Sequence, residues 1–176
     1  IRLVRGGPDG RRNFVDQGMA EIDPVFLTHL TSFQRALKQK NGLLRDLKKG
    51  LSDTSTTRRE VAAWNRELAT HATAVCLGRE QYAAFLTPFS HEAHKSLTDN
   101  DLKLTFSYAP KLESVEKAIS ETSENPISKN DLEREILAEF DYIMDSEIRR
   151  GRPLIGPQLD DFKVVLGGVD LRVYGS

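Results

Sequence analysis

The sequence lacks the features of a secreted, membrane-spanning or strongly basic protein. Cys76 is the single cysteine, which excludes an internal disulfide framework and fits a reducing cytosol, so we expect a cytoplasmic protein. No apolar run approaches the roughly 18–20 residues that a membrane span needs, and we expect no membrane partner. The formal net charge of −1 gives no general nucleic-acid signature. Any contact with nucleic acid must therefore come from local basic patches.

The short motifs of several enzyme classes are also missing. No G-x-x-x-x-G-K-[ST], G-x-G-x-x-G or G-x-S-x-G pattern occurs, so the chain carries no phosphate-binding loop of its own. His91 and His94 stand one residue short of the zinc-protease spacing, and His71 is not at the spacing of a catalytic pair with Cys76. We therefore predict no catalytic residue, no metal site and a buried Cys76 thiol.

Two long helices are predicted to pack as an antiparallel, coiled-coil-like hairpin. Asp23 and Pro24 form a helix start signal, and the first helix is predicted to end at Lys49. Its apolar positions are Leu30, Phe33, Leu37, Leu44, Leu47 and Leu51, with Lys40 where another apolar residue is due. After a turn over 50–57, the second helix presents Val61, Trp64, Leu68, Val75, Tyr82 and Phe85 on one face. Pro88 is expected to kink or stop it near Leu86, although Ala93 and Leu97 continue the stripe.

The remaining elements predict a small β portion in a mainly α chain. Alternating apolar residues indicate a strand over 102–108. The stretch 111–125 is polar and weakly patterned, and Gly6 to Gly10 predict a turn-rich connection near the start. A third helix is predicted from Ser128 to Arg150, ended by Gly151 and Pro153. Two strands, 164–166 and 169–174, flank Gly167-Gly168 as a hairpin.

Charged residues supply the candidate sites. The basic candidates for phosphate contact are Lys48, Lys49, Arg58, Arg59, Arg149, Arg150 and Arg152. The first four flank the predicted hairpin turn, whereas the last three are expected near the strand-rich end. A solvated charged tip is the simpler alternative. Asp160 and Asp161 either bind a cation, position a basic group or form a polar turn, and on a strand they would point to opposite faces.

Several segments in order resemble the RecF family. They are RGGPDGRRNFVDQGM, PVFLTHLTSFQRALKQKNGLLRD, WNRELATHATAVCLGREQYAAFL, LKLTFSYAP and GRPLIGPQLDDFKVVLGG. The last is similar to a family motif of Gly-Pro-His-Arg-Asp-Asp-Leu, and its matching residues here are Gly156, Pro157, Asp160 and Asp161. Gln158 and Leu159 replace the basic His-Arg pair, which implies a divergent member. The resemblance covers nearly the whole chain, and the complete set is specific.

The resemblance implies a DNA-repair ATPase of the ATP-binding-cassette type, related to SMC proteins. Residues 1–23 would end an N-terminal ATPase-lobe piece, 24–150 would form the helical arm, and 151–176 would return to the lobe. Walker A is expected before Ile1 and Walker B after Ser176. Ser176 would be the signature-motif serine that contacts ATP bound by the opposite subunit. The segment alone would be inactive.

The implied partners follow from the same family. The whole protein would use ATP and Mg²⁺, form an ATP-dependent homodimer and bind DNA at single-strand/double-strand junctions. With RecO and RecR it would help load RecA at gaps. Two alternatives stay open. One is a RecF-related, SMC-like ATPase of another DNA pathway, such as nuclease-associated defence. The other is a helical-hairpin adaptor without a nucleotide role.

Overall fold

The architecture is mainly helical with a small antiparallel sheet, as the sequence predicts. The structure is a computed structural model that describes residues 2–98, 101–120 and 127–172. Its helices are α1 (Arg2–Arg5), α2 (Pro8–Ile22), α3 (Pro24–Lys48), α4 (Thr54–Thr98), α5 (Glu113–Ser120) and α6 (Lys129–Arg150). Its strands are β1 (Leu104–Ala109), β2 (Asp161–Leu166) and β3 (Val169–Asp170). No described helix has the length and apolar character needed to cross a membrane.

The predicted helical hairpin is formed by α3 and α4. Asp23 caps α3 because its Oδ1 accepts a hydrogen bond from the Val25 N–H at 2.8 Å. Gly50 turns the chain with a φ of 72°, and the Asp53 carboxylate accepts from the Ser55 and Thr56 amides at the start of α4. The two helices bury Phe26, Leu30, Phe33, Leu68, Ala72 and Val75 in a shared core. Leu51, by contrast, lies in the turn and is exposed.

Pro88 does not stop α4, but the buried stripe ends before it at Ala83, and Ala93 and Leu97, which were expected to continue the stripe, are exposed. The helix has 45 residues and continues for ten residues beyond the proline, to Thr98. A proline removes the N–H that would bond the carbonyl of Ala84, but both residues are exposed, so water can satisfy that carbonyl. The expectation that α4 stops near Leu86 is therefore wrong, whereas a kink there stays a prediction. Phe85, placed inward by its spacing, is 50% exposed.

The third helix, α6, packs beside the hairpin within the predicted bounds. The Ser128 hydroxyl accepts from the Asp131 N–H at its start, and Gly151 ends it with a φ of 69°. Leu132, Ile136 and Phe140 are buried against α3 and α4. The core is therefore a three-helix arrangement and not a two-helix seam.

The strands form one sheet in the order β1-β2-β3, antiparallel throughout. Tyr108 pairs with Phe162, whose ring stacks on Phe106 with centroids 5.3 Å apart. Thr87 of α4 covers the outer edge of β1: its hydroxyl accepts from the Phe106 N–H at 3.1 Å and lies 2.9 Å from the Phe106 carbonyl, to which it donates. The predicted second strand of the hairpin is shorter than expected, because residues 171–172 form a turn; 173–174 lie outside the described residues.

Two segments predicted as irregular are helical. Gly10 lies inside α2, which begins with Pro8 at its first turn and buries Val15 and Met19. In the polar stretch, α5 occupies 113–120. Leu112 and Val115 anchor it, since both are buried, and Glu139 of α6 caps its start. The Glu139 carboxylate accepts from the Glu113 and Ser114 amides at 3.0 and 2.7 Å. The domain boundaries at residues 23 and 150 stay a prediction.

Candidate functional site

The family-motif residues lie where the chain leaves α6 and enters the sheet. Gly156 has a φ of 122°, which favours glycine, and precedes a 3₁₀ turn at Pro157–Leu159. Gln158, where the family has a basic residue, donates from Nε2 to the Ile155 carbonyl at 2.8 Å. Leu159 is 42% exposed. The departure from the family motif therefore places one partly buried amide and one exposed apolar side chain in this turn.

Arg79 holds this turn to the helices. Its buried guanidinium donates two hydrogen bonds to the Asp16 carboxylate of α2, from Nε at 2.8 Å and from Nη2 at 2.9 Å. Nη1 donates to the Pro157 carbonyl at 2.6 Å and lies 3.2 Å from Asp160 Oδ2. A guanidinium suits such a site because its planar fork serves several acceptors at once. One side chain of α4 thus connects α2, the motif turn and the start of β2.

Asp160 is fully buried and accepts several donors. Besides Arg79, the Tyr108 hydroxyl donates to Oδ2, and the Lys111 N–H donates to Oδ1 at 2.8 Å. Burial raises the pKa of the Asp160 carboxyl, and the hydrogen bond from Tyr108 and the charge of Arg79 oppose that rise. Cys76 is buried, as predicted, and burial raises the pKa of its thiol.

Asp161 points away from Asp160 and pairs with a different set of cations. Arg11 donates from Nε to its Oδ1 at 2.6 Å, and Arg172 donates from Nη1 to Oδ2 at 2.7 Å. Burial alone would raise the pKa of Asp161, but the hydrogen bond and charge of Arg11 outweigh it and lower that pKa. In the structure, Asp160 therefore contacts Arg79, whereas Asp161 contacts Arg11 and Arg172. Among the described residues, no group of three or more His, Cys, Asp or Glu side chains could hold a metal ion.

The sequence did not identify the partners of this network. Arg79 lies one turn beyond Val75 in the buried stripe of α4, and Asp16 lies next to the buried Val15 in α2. A charged residue at an apolar position was the available signal. Only the fold shows that the two charges are mutual partners.

All seven basic candidates lie at one end of the helical hairpin, which we call the basic tip. They are Lys48, Lys49, Arg58, Arg59, Arg149, Arg150 and Arg152, and all seven are exposed. Lys48 Nζ donates to the Arg150 carbonyl at 3.3 Å, and Arg58 pairs with Asp145 of α6. The end of α6 therefore adjoins the hairpin turn, and the expected position of 149–152 near the strands is wrong. Within the described ranges, Arg58 is the one member of the tip in an ion pair.

The proposed nucleotide contact lies elsewhere in the chain. Ser176 falls outside the described residues, so its role stays a prediction. The described part of the chain offers basic side chains for phosphates at the tip and buried ion pairs at the motif. The ion pairs at the motif connect α2, α4 and the start of β2.

Comparison with known proteins shows extended similarity to one family. No family model matches the chain. It is 34% identical over 176 residues to the DNA replication and repair protein RecF of Staphylococcus epidermidis, and 32% identical to that of Staphylococcus carnosus. The RecF of Roseiflexus castenholzii is 29% identical over the same length. The chain is therefore similar to RecF proteins over its whole length.

Solved RecF structures share the fold of this segment. The recombination mediator protein RecF-ATP in the RecFOR pathway superposes with a TM-score of 0.78 at 19% identity, covering 99% of this chain and 43% of that one. The corresponding RecF-ATPrS structure gives a TM-score of 0.79. The chain spans 43–44% of the length of these curated RecF relatives, so it corresponds to less than half of a RecF protein.

Proposed function

We propose that this chain is the arm-containing segment of a RecF-type DNA repair protein. The whole protein would bind ATP and DNA, dimerise with ATP and help load RecA at single-strand gaps together with RecO and RecR. The observation that carries this proposal is the similarity to RecF over all 176 residues, reaching 34% identity. The fold shared with the RecF-ATP structure supports it.

The segment would contribute the DNA-facing end of the arm and not the chemistry. The basic tip brings cations from α3, α4 and α6 to one exposed surface, as phosphate contacts require. Such contacts position a duplex without reading its sequence, so binding would be sequence-tolerant and salt-dependent. ATP and Mg²⁺ would bind in the whole protein, with Ser176 contacting the nucleotide of the opposite subunit.

A charge-reversal experiment on the full-length protein tests the DNA role of the tip. The variant Lys49→Glu/Arg59→Glu/Arg150→Glu should bind gapped DNA more weakly. The slope of its log–log salt dependence should fall by about 0.9 for each phosphate that the variant no longer neutralises. The matched control is Arg35→Glu/Lys117→Glu/Arg134→Glu, with the same charge change at exposed positions away from the tip. If DNA binding is weakened equally in both variants, or is unchanged in the first, the basic tip is not part of the DNA interface.

The nucleotide role is tested separately. Ser176→Arg in the full-length protein should abolish ATP-dependent dimerisation while leaving binding of ATP by each subunit. Unchanged dimerisation would exclude Ser176 from the nucleotide contact. Because this experiment does not involve the basic tip, each role can fail without the other.

A second candidate is a RecF-related ATPase of another DNA pathway. Gln158 and Leu159 favour it, because they replace the basic pair of the family motif. Replacing the RecF of a tractable bacterium with the full-length protein separates the two. Restored RecA loading at gaps supports the first proposal, whereas ATP-dependent dimerisation on DNA without RecA loading supports the second.

A further inference from the structure

Two histidines face each other across the helical hairpin, away from the motif and the tip. His29 of α3 and His71 of α4 have their Nδ1 atoms 2.9 Å apart. The ring centroids are 5.2 Å apart, and the rings are inclined at 58°. Both rings are partly buried, and the side chain of His71 keeps 16% of its exposure. They are therefore held by packing but remain reachable from solvent.

Glu67 determines which nitrogen of His71 is free. Glu67 lies one turn before His71, with Oε1 3.2 Å from His71 Nε2. A carboxylate accepts only, so Nε2 carries the proton and Nδ1 of the neutral ring presents a lone pair towards His29. His29 Nδ1 is then the donor in the metal-free pair. A carboxylate behind the second nitrogen is the arrangement that orients metal-ligating histidines.

We propose that His29 and His71 bind one divalent first-row transition-metal ion, such as Zn²⁺, through their Nδ1 atoms and so clip α3 to α4. Zn–N bonds are about 2.0–2.1 Å long, which puts two nitrogens of a tetrahedral site about 3.3 Å apart. To admit the ion, the two nitrogens must move apart by about 0.4 Å and each ring must turn so that both Nδ1 lone pairs converge on the ion. The proton on His29 Nδ1 moves to its Nε2 through solvent, so the neutral pair binds the metal without net proton release.

The surroundings of the pair suit a cation with open coordination positions. A cleft of about 220 Å³ adjoins His29 and is also lined by Asp23 and Lys129. Asp23 and Glu133 attract a cation here, while Lys129 opposes it. With two protein ligands and water from the cleft completing the shell, binding is weaker than at a four-ligand structural zinc site.

The ligand type separates this ion from the Mg²⁺ that accompanies ATP. Imidazole nitrogens favour Zn²⁺, Cu²⁺ and Ni²⁺, whereas Mg²⁺ prefers oxygen ligands. The inference therefore does not depend on the proposed function, and metal binding at this pair can be measured without nucleotide or DNA.

The test uses the metal-free, nucleotide-free full-length protein, titrated with ZnCl₂ by calorimetry. His29→Gln and His71→Gln should each bind one Zn²⁺ fewer than the wild type. The control His91→Gln/His94→Gln removes the other two histidines, which also lie on α4, and should keep the wild-type stoichiometry. Cu²⁺ paramagnetic resonance should show two coordinated imidazole nitrogens in the wild type and fewer than two in His29→Gln.

A variant outside the ligand pair tests the proposal even if the histidine variants fail to fold. Glu67 is 56% exposed at its side chain, so Glu67→Gln should fold normally. It should keep the stoichiometry but lower the affinity about 10- to 100-fold. Equal Zn²⁺ binding by the wild type, His29→Gln and His71→Gln would overturn the proposal, as would loss of the same equivalent in the His91/His94 control.

Discussion

Lys40 Nζ of α3 lies 2.6 Å from Glu147 Oε2 of α6, and both side chains are buried, with exposures of 2% and 0%. The ammonium also lies 5.3 Å from the centre of the Phe140 ring, and Glu147 Oε1 accepts from the Leu154 N–H at 2.8 Å. Burial lowers the pKa of Lys40, and the charge of Glu147 opposes that shift. The lysine that interrupts the apolar seam is thus the partner of a third helix.

Removing one member of this pair should destabilise the chain strongly. Lys40→Met leaves the Glu147 carboxylate buried without its cation, which costs about 3–5 kcal/mol. The double variant Lys40→Met/Glu147→Gln should recover most of that loss, because the glutamine still accepts from Leu154. Urea unfolding of the 176-residue chain measures both. The exposed pair of Arg45 and Asp46 is the control, and Arg45→Met should cost at most about 1 kcal/mol. A single variant as stable as the wild type would contradict the expectation.

The fork of Arg79 should matter as much as its charge. Arg79→Met leaves Asp16 and Asp160 without their shared cation and should cost about 3–5 kcal/mol. Arg79→Lys keeps the charge but not the two parallel hydrogen bonds to Asp16, so its loss of stability should be intermediate. Arg134→Met, at an exposed position, should change stability by no more than about 0.5 kcal/mol. Equal stability of the wild type and Arg79→Lys in urea unfolding would show that charge alone suffices.

The stability contributed by Asp161 should depend on pH with a defined sign. The pKa of Asp161 in the folded chain is lower than its ordinary value of 3.8. At pH values between these two pKa values, the unfolded chain therefore binds more protons than the folded chain. The contribution is fully present above about 3.8 and is lost as pH falls through the lowered pKa. The difference in unfolding free energy between the wild type and Asp161→Asn should therefore shrink in acid. A pH-independent difference, measured in urea from pH 7 down to 3, would be inconsistent with this ion pair.

Two helical glycines should respond in opposite directions to alanine. A Cβ at Gly78 would lie 2.4 Å from Cδ2 of the buried Phe26 ring, so Gly78→Ala should cost about 1–3 kcal/mol by overpacking. A Cβ at Gly42 meets nothing within 4 Å, so Gly42→Ala should gain up to about 1 kcal/mol of helix propensity. Thermal unfolding of the two variants gives the comparison. Stabilisation by Gly78→Ala would mean that α3 and α4 are not packed this closely.

Local signals account for the elements that the sequence predicted well. Asp23 and Ser128 mark the starts of α3 and α6, and periodic apolar residues follow each of them. The helix α5 was missed because its cap, Glu139, is distant in sequence. Pro88 was misleading because it lies on an exposed face of α4, where water can satisfy the carbonyl that the proline leaves unbonded.

Charged residues mark the boundary of what sequence alone could show about the site. Three buried charged residues lie on otherwise apolar helical faces: Lys40, Arg79 and Glu147. In the sequence alone, each one only interrupts an apolar pattern. Their meaning depends on partners from 63 to 107 positions away. Part of the basic tip could be predicted, because the basic residues of 48–59 flank one predicted turn. The position of the end of α6 beside that turn could not be predicted, because it depends on the packing of three helices.

The Thr87 hydroxyl has a consequence for how the small sheet can be extended. By occupying both the N–H and the carbonyl of Phe106, it leaves β1 with no free backbone pair at its centre for an incoming strand. No described strand lies beyond β3. The β1 edge of the sheet is therefore blocked at its centre. A further strand that joins this sheet would have to pair at the edge that β3 forms.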